Sequence, residues 1–343
     1  MTPWLTFLAS RGARPGGAGV ADFGDPHAEL AAARDATIVA DLSHNALVRV
    51  SGDDAPAFLH AQFTNDVQSL PVAAAQWNGW CTAKGRLFAT LLLFRRADGY
   101  LLMLPAEIAA AVAKRLGMFV LRSKVQIADV SEQWVRLGLA GTRAKDIVAG
   151  HWGNVPAPLH AVERDGVSCL ALDDRRFLVL APAAQAPDLW TVLSQRATPA
   201  GMDAWEWTGV QAGIPTIVAA TQEAFVPQMA NFDLVGGVSF HKGCYPGQEI
   251  VARTQYRGIL KRRMARAHVE APTAPKPGDS VYSQAFGEQA AGTVVQATPS
   301  PEGGFDLLVV AQIESLLRGD LRLGSPAGSP LEVRDHPALA TAS

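Results

Sequence analysis

Cysteine is scarce in this chain. Its 343 residues hold three thiols, Cys81, Cys169 and Cys244, with no Cys-x-x-Cys and no histidine at ligand spacing. That excludes a disulfide framework and a local zinc site. Long apolar runs are missing as well: "FATLLLF", residues 88–94, falls far short of the roughly 20 residues of a membrane-spanning helix and reads as a buried strand. The start, "MTPWLTFLASRGARPGGAG", has no basic stretch ahead of an apolar one, so a secretory leader is not expected and the cytoplasm is the expected compartment. A dominant charge is absent too, since 30 Lys and Arg face 32 Asp and Glu. The near-neutral balance exerts no global pull on nucleic acid or anionic membrane. Neither G-x-x-x-x-G-K-[ST] nor G-x-G-x-x-G occurs, which removes the usual nucleotide-phosphate cradles.

What is there is globular. Hydrophobic residues make up 48% and charged ones 18%, and the length exceeds what one ordinary core supports. Residues 1–35, rich in Gly, Ala and Pro, read as an irregular lead-in. "ALVRVSG" then alternates as a strand, and "DDAPAFLHAQF" follows as a helix with Pro56 in its first turn. "QWNGWCTA", "LFATLLLF" and "YLLML" read as strands, the last two joined by an Ala97-Asp98-Gly99 hairpin. Ile108, Val112, Leu116 and Phe119 recur at helical spacing. Hairpin-linked strands with interspersed helices predict an α+β class rather than a parallel sheet. We expect a first α+β domain over 36–140 and a second over 141–257. Short strands parted by "KPGDSVY" and "SPEGGF" predict a small β-barrel over 258–343.

Chemistry concentrates in "SFHKGCYPGQEIVARTQYRG", residues 239–258. Tyr245-Pro246-Gly247-Gln248 fits a type II turn, with glycine where φ must be positive. Gln248 then opens a helix with Glu249 in its first turn, a favourable place for a carboxylate. Cys244 thus lies near a helix N-terminus beside Lys242, and both features stabilise a thiolate. Gly243 leaves the backbone open to a ligand. The opposing reading is an interdomain turn with a buried filler thiol, which is also the expectation for Cys81 and Cys169 in their strand contexts. A thiol hydrolase with His241 as base has no orienting third group and no oxyanion hole.

Three blocks carry a family resemblance: "KGCYPGQE", "VQAGIP" with "FVPQMANFDLVGGVSF", and "LVRVSGDDAPAFLHAQFTNDV" with "TAKGRLFATLLLF". Together they resemble the YgfZ family of folate-binding proteins, relatives of the glycine-cleavage T-protein (GcvT-like). The resemblance runs from about residue 37 through nearly the whole chain. It implies a three-domain ring with two α+β domains and a C-terminal barrel, holding tetrahydrofolate or a related reduced folate. It also implies an accessory role for iron–sulfur client enzymes or assembly factors, some of which modify tRNA.

The same resemblance implies site residues. Cys244 becomes the reactive centre with Lys242 beside it, and Trp205 aligns with a tryptophan that contacts folate in relatives. Asn45 falls where some members have a second tryptophan, and Gln211 stands where the T-protein has a folate-binding glutamate. Gly243, Tyr245, Gln248, Glu249 and Arg253 complete the expected folate-contacting set, with no metal ligand among them. Phe88 and Ala89 occupy the positions of the T-protein's Asp pair, and neither side chain can exchange a proton. Aminomethyl transfer is therefore not expected, although a one-carbon transferase and a scaffold with a vestigial pocket stay as alternatives. Arg253, Arg257, Lys261, Arg262, Arg263 and Arg266 could attract a folate glutamate tail or an RNA phosphate. Strand alternation instead sets some of them on a solvated face, and without an aromatic RNA platform direct nucleic-acid binding is not supported.

Overall fold

The computed structural model describes every residue except Met1, Ala18, Arg257, Ile259 and 336–343. Arg257 of the basic run therefore lies outside the described residues. The chain packs as two compact units, each assembled from separated segments. One comprises Met1–Phe58, Gln68–Gln76 and Leu92–Thr208; the other comprises Leu59–Val67, Trp77–Leu91 and Gly209–Ser343.

In the first unit a six-stranded sheet runs in the order Ala161–Arg164, Val167–Ala171, Arg176–Pro182, Trp134–Gly141, Thr37–Asp41, Thr198–Ala200. All neighbours are antiparallel except the last pair, where Thr198 lies parallel to Ile38. Period-2 alternation sends Val135, Leu137 and Leu139 into one core with Trp4, Leu8, Trp152 and Trp190. The intervening Gly138 meets the helix Met202–Gln211 through Trp205. A second sheet contains the expected hairpin, with Leu92 opposite Met103 and Gly99 at φ +138° in the turn. The helix Ala106–Gly117 buries Ile108, Ala109, Val112 and Leu116.

Two expectations change here. Phe119 lies beyond the end of that helix and is 43% exposed, because the chain leaves the helical register after Gly117. Residues 1–35 are not irregular. They form helices Pro3–Ser10 and Pro26–Asp35 on either side of a two-stranded ribbon, Arg14–Gly16 with Gly19–Asp22. Both helices begin with a side-chain cap, Thr2 or Asp25, and carry proline in the first turn. The prolines that suggested a loop are helix starters.

In the second unit an antiparallel sheet of Leu321–Leu323, Ser280–Ser283, Gly292–Pro299, Phe305–Gln312, Arg262–Val269 and Glu332–Asp335, in that order, curls into a half-barrel. Its central strands are covered on both faces. Leu307, Val309 and Ala311 pack in one cluster, while Leu308 and Val310 pack in another with Cys81, Leu87, Ile217 and Phe225. Double burial explains why "FDLLVVAQ" is almost continuously apolar.

Candidate functional site

The signature segment is held by two interlocking glycine turns. Gln248 N donates to Tyr245 O at 3.1 Å with Gly247 at φ +78°, the type II turn that Pro246 prepares. The helix Gln248–Tyr256 follows directly. A Cβ on Gly247 would fall on the Thr82 carbonyl and lie 2.6 Å from Gly85. Gly85, at φ +68°, turns the loop ahead of the strand that carries Phe88 and Ala89.

Cys244 is exposed, whereas Cys81 and Cys169 are buried. Burial pushes the Cys81 thiol up to about 12 and raises that of Cys169 as well. Tyr245 is buried beneath the segment, and burial raises its phenol. Lys242 is not a free surface cation. Its Nζ donates to the carbonyls of His60 and Phe63 (2.6 Å to Phe63) at the C-terminal end of the helix Ala55–Gln62, and sits 5.0 Å from the Tyr245 ring centroid. Carbonyls at a helix end favour an ammonium. Burial opposes it and brings Lys242 down to about 8, while Asp66 and Cys244 pull weakly the other way.

The histidine that meets this segment is His60, not His241. His241 is exposed. His60 Nδ1 lies 3.1 Å from Asp66 Oδ1, and a Cβ built on Gly243 would stand 3.4 Å from His60 Nε2. Sequence reasoning missed both His60 and Asp66, although the block "FLHAQFTNDV" that carries them was already in view. Gly243, Glu249 and Arg253 are exposed and Gln248 is half-buried, so the structure brings these residues onto one short stretch with Cys244.

Gln211 is placed elsewhere in the same unit, in a polar network that the sequence did not announce. Its Nε2 donates to Asp306 Oδ2 at 3.0 Å, and Arg266 Nη1 donates to its Oε1 at 2.6 Å. His268 Nδ1 stands 2.8 Å from Asp306 Oδ1. A cavity of about 140 Å³ opens beside Gln211, Asn231 and Arg266. Arg266 Nε is buried there with no hydrogen-bond partner. Gln211 and Arg266 thus present an amide and a guanidinium to that cavity, while Asp306 is buried within the network. The basic run is no continuous patch, since Arg263 is bound to Asp233 at 2.7 and 3.0 Å and Arg266 to Gln211.

Trp205 and Asn45 belong to the first unit. Trp205 is only 7% exposed, its indole lying on the backbone of Gly138 where any Cβ would collide with the ring. Packing is therefore part of its role. Asn45 opens the strand Asn45–Ser51 and is half-buried. Its neighbour His44 puts Nε2 2.9 Å from Glu206 Oε1, tying that strand end to the helix of Trp205. Asp203 on that helix is raised by burial and by Glu206. In the second unit Ala89 is fully buried and Phe88 stands edge-on to Trp80, 5.5 Å between centroids. Among the described residues no group of three or more His, Cys, Asp or Glu converges as a metal site. No helix among them is long and apolar enough to cross a membrane.

Comparison with known proteins agrees with this layout. Residues 22–163 match the GCVT N-terminal domain family. The chain is 33% identical over 297 residues to the tRNA-modifying protein YgfZ of Serratia proteamaculans, covering 85% of this chain and 89% of that protein. It is 32% identical to the protein of the same name from Edwardsiella ictaluri, over 84% of this chain and 85% of the relative. The aminomethyltransferase T of the glycine cleavage system from Bartonella henselae shares the fold, with a TM-score of 0.73 at 17% identity over 98% of this chain and 96% of that one.

Proposed function

Because this chain belongs to the YgfZ family of tRNA-modifying proteins, we propose that it is a folate-binding accessory protein whose exposed thiol, Cys244, serves iron–sulfur enzymes that modify tRNA. The observation that carries this reading is the contrast among its thiols. Two are buried and pushed toward the neutral form, while the third stands exposed on a turn built by the family signature, beside a half-buried ammonium. A thiol in that setting can act as a nucleophile.

Reduced folate is the proposed ligand. Gln211 and Arg266, which line the cavity, offer the pterin-edge partners, with the orphaned Arg266 Nε free for an acceptor. Trp205 of the first unit is kept as a candidate aromatic contact on its alignment with a folate-contacting tryptophan of relatives, an indole face suiting a pterin or aminobenzoyl ring. The bound folate would supply one-carbon or redox chemistry that side chains lack. Aminomethyl release is disfavoured, because Phe88 and Ala89 put no carboxylate where a proton must be moved.

The test is complementation of cells lacking the native protein, with the activity of iron–sulfur tRNA-modifying enzymes as readout. Cys244→Ser should fail to restore that activity while binding tetrahydrofolate as the parent does. Full rescue by the serine variant would sink the thiol role, and absence of tetrahydrofolate binding by the parent would sink the folate role.

A further inference from the structure

We propose that His60, oriented by Asp66, is the proton acceptor for the Cys244 thiol, so that the working centre is a thiol–imidazole pair assembled from two distant stretches of chain. This rests on the reading of Cys244 as the working group and adds the residue that makes it one.

The geometry begins at the helix Ala55–Gln62, whose last turn carries His60. Through its carbonyl, His60 receives the Lys242 ammonium. Its ring faces the next residue, with Nε2 3.4 Å from where a Gly243 Cβ would stand. A single residue therefore holds the signature segment on one side of Cys244 by its backbone and meets it with its imidazole. A Cβ at 243 would stand in ordinary van der Waals contact with the ring, so the backbone of this step lies directly beside the imidazole.

The charges around His60 fix which nitrogen is available. Asp66 Oδ1 lies 3.1 Å from Nδ1. A carboxylate at that distance favours the tautomer with its proton on Nδ1, leaving the Nε2 lone pair toward the Gly243–Cys244 step. The other charge facing His60 is the Lys242 ammonium, which opposes imidazolium; Lys242 itself faces Asp66, Cys244 and the Tyr245 ring. Burial and Lys242 both hold His60 below its ordinary value, so the ring is neutral near pH 7 and able to accept. Cys244 is exposed and follows directly on Gly243, and exposed side chains exchange rotamers in picoseconds to nanoseconds, so the pair forms in the rotamer that brings the thiol to Nε2 directly or through one water.

The step balances simply. The S–H bond of Cys244 breaks and its proton forms an N–H bond at His60 Nε2. The products are a thiolate, which the nearby Lys242 ammonium stabilises, and an imidazolium, which the Asp66 carboxylate stabilises. When a thiolate product or adduct later leaves, the same proton returns. His60 and Lys242 thus divide the work, one moving the proton and the other holding the charge that remains.

The experiment is alkylation of Cys244 by iodoacetamide in the full-length protein between pH 5 and 10, with no folate and no client present. The parent, His60→Gln, Asp66→Asn and His241→Gln proteins are compared. His60→Gln keeps a polar side chain of similar reach but cannot take a proton, and should slow alkylation at pH 7 about tenfold. It should also remove the rise in rate through the imidazole range. Asp66→Asn should shift that rise, and His241→Gln should leave the profile unchanged. A folded His60→Gln protein with the parent profile would overturn the pair.

Should His60→Gln fail to fold, the titration of His60 is followed by NMR in the parent and in Cys244→Ser. The pair requires the His60 curve to move when the thiol is removed; an unmoved curve overturns it. The alkylation profile reads the thiol alone. A flat His60 result would therefore leave the folate titration and the complementation untouched, and their failure would leave this profile intact.

Discussion

Raising the pH from 8 to 10 should stabilise the parent protein relative to a Lys242→Met variant. Burial brings the Lys242 ammonium down to about 8 from its ordinary 10.5. Below about 8 the native protein bears the full cost of that half-buried charge. Between 8 and 10.5 the folded chain has released the proton and the unfolded chain still holds it. Stability rises with pH wherever the unfolded state binds more protons, so this contribution grows across the window. A shift of that size would correspond to about 3 kcal/mol at full burial. The amine keeps part of its solvent shell, and screening reduces the expected gain to about 1 kcal/mol. Urea denaturation of both proteins at pH 7, 8, 9 and 10 measures it, with the difference between them cancelling titrations they share. The difference should be flat from 7 to 8 and then grow in favour of the parent. A difference that stays flat or falls would mean that the carbonyls of His60 and Phe63 hold the ammonium more strongly than burial opposes it, and would refute the reasoning.

Native protein at pH 7 should take up one equivalent of iodoacetamide, at Cys244, and three in urea. With Cys81 pushed to about 12 its thiolate fraction is about 10⁻⁵, against a few per cent for an ordinary exposed thiol, so substantial native labelling of Cys81 would contradict the burial argument. Gly247→Ala should destabilise more than Gly236→Ala, as thermal unfolding would show. Both glycines have positive φ, +78° and +74°, and share a backbone strain of about 1–2 kcal/mol, but only at 247 does the new methyl meet the Thr82 carbonyl and Gly85. Equal losses would remove the interlocked turns from the account. Trp205→Ala should weaken tetrahydrofolate binding by about 1–3 kcal/mol, judged from base–aromatic stacking, and Gly138→Ala should match it because its Cβ displaces the indole. Parent-like affinity in folded Gly138→Ala protein would detach the indole's position from ligand binding.

The sequence by itself determined the local elements and the reactive segment. Alternation in "ALVRVSG" marked a strand, and Pro246-Gly247 fixed a type II turn. "KGCYPGQE" singled out one thiol of three, and the structure leaves that thiol exposed. Helical and strand periods link residues a few positions apart, so such features are written locally. Composition misled at the N-terminus, where prolines that open two helices read as loop. The basic run could not reveal that Arg263 is bound to Asp233 and Arg266 to Gln211, because those partners come from other segments. Nor could Trp205 be known as buried until Gly138, on a strand 67 positions earlier by residue number, was laid beneath it. The clearest case is the bond from Lys242 to the carbonyl of His60, 182 positions away. Local pattern says which face of a helix is apolar; only the burial of that face decides which remote lysine its last carbonyls receive, and with it which imidazole comes to stand beside the thiol.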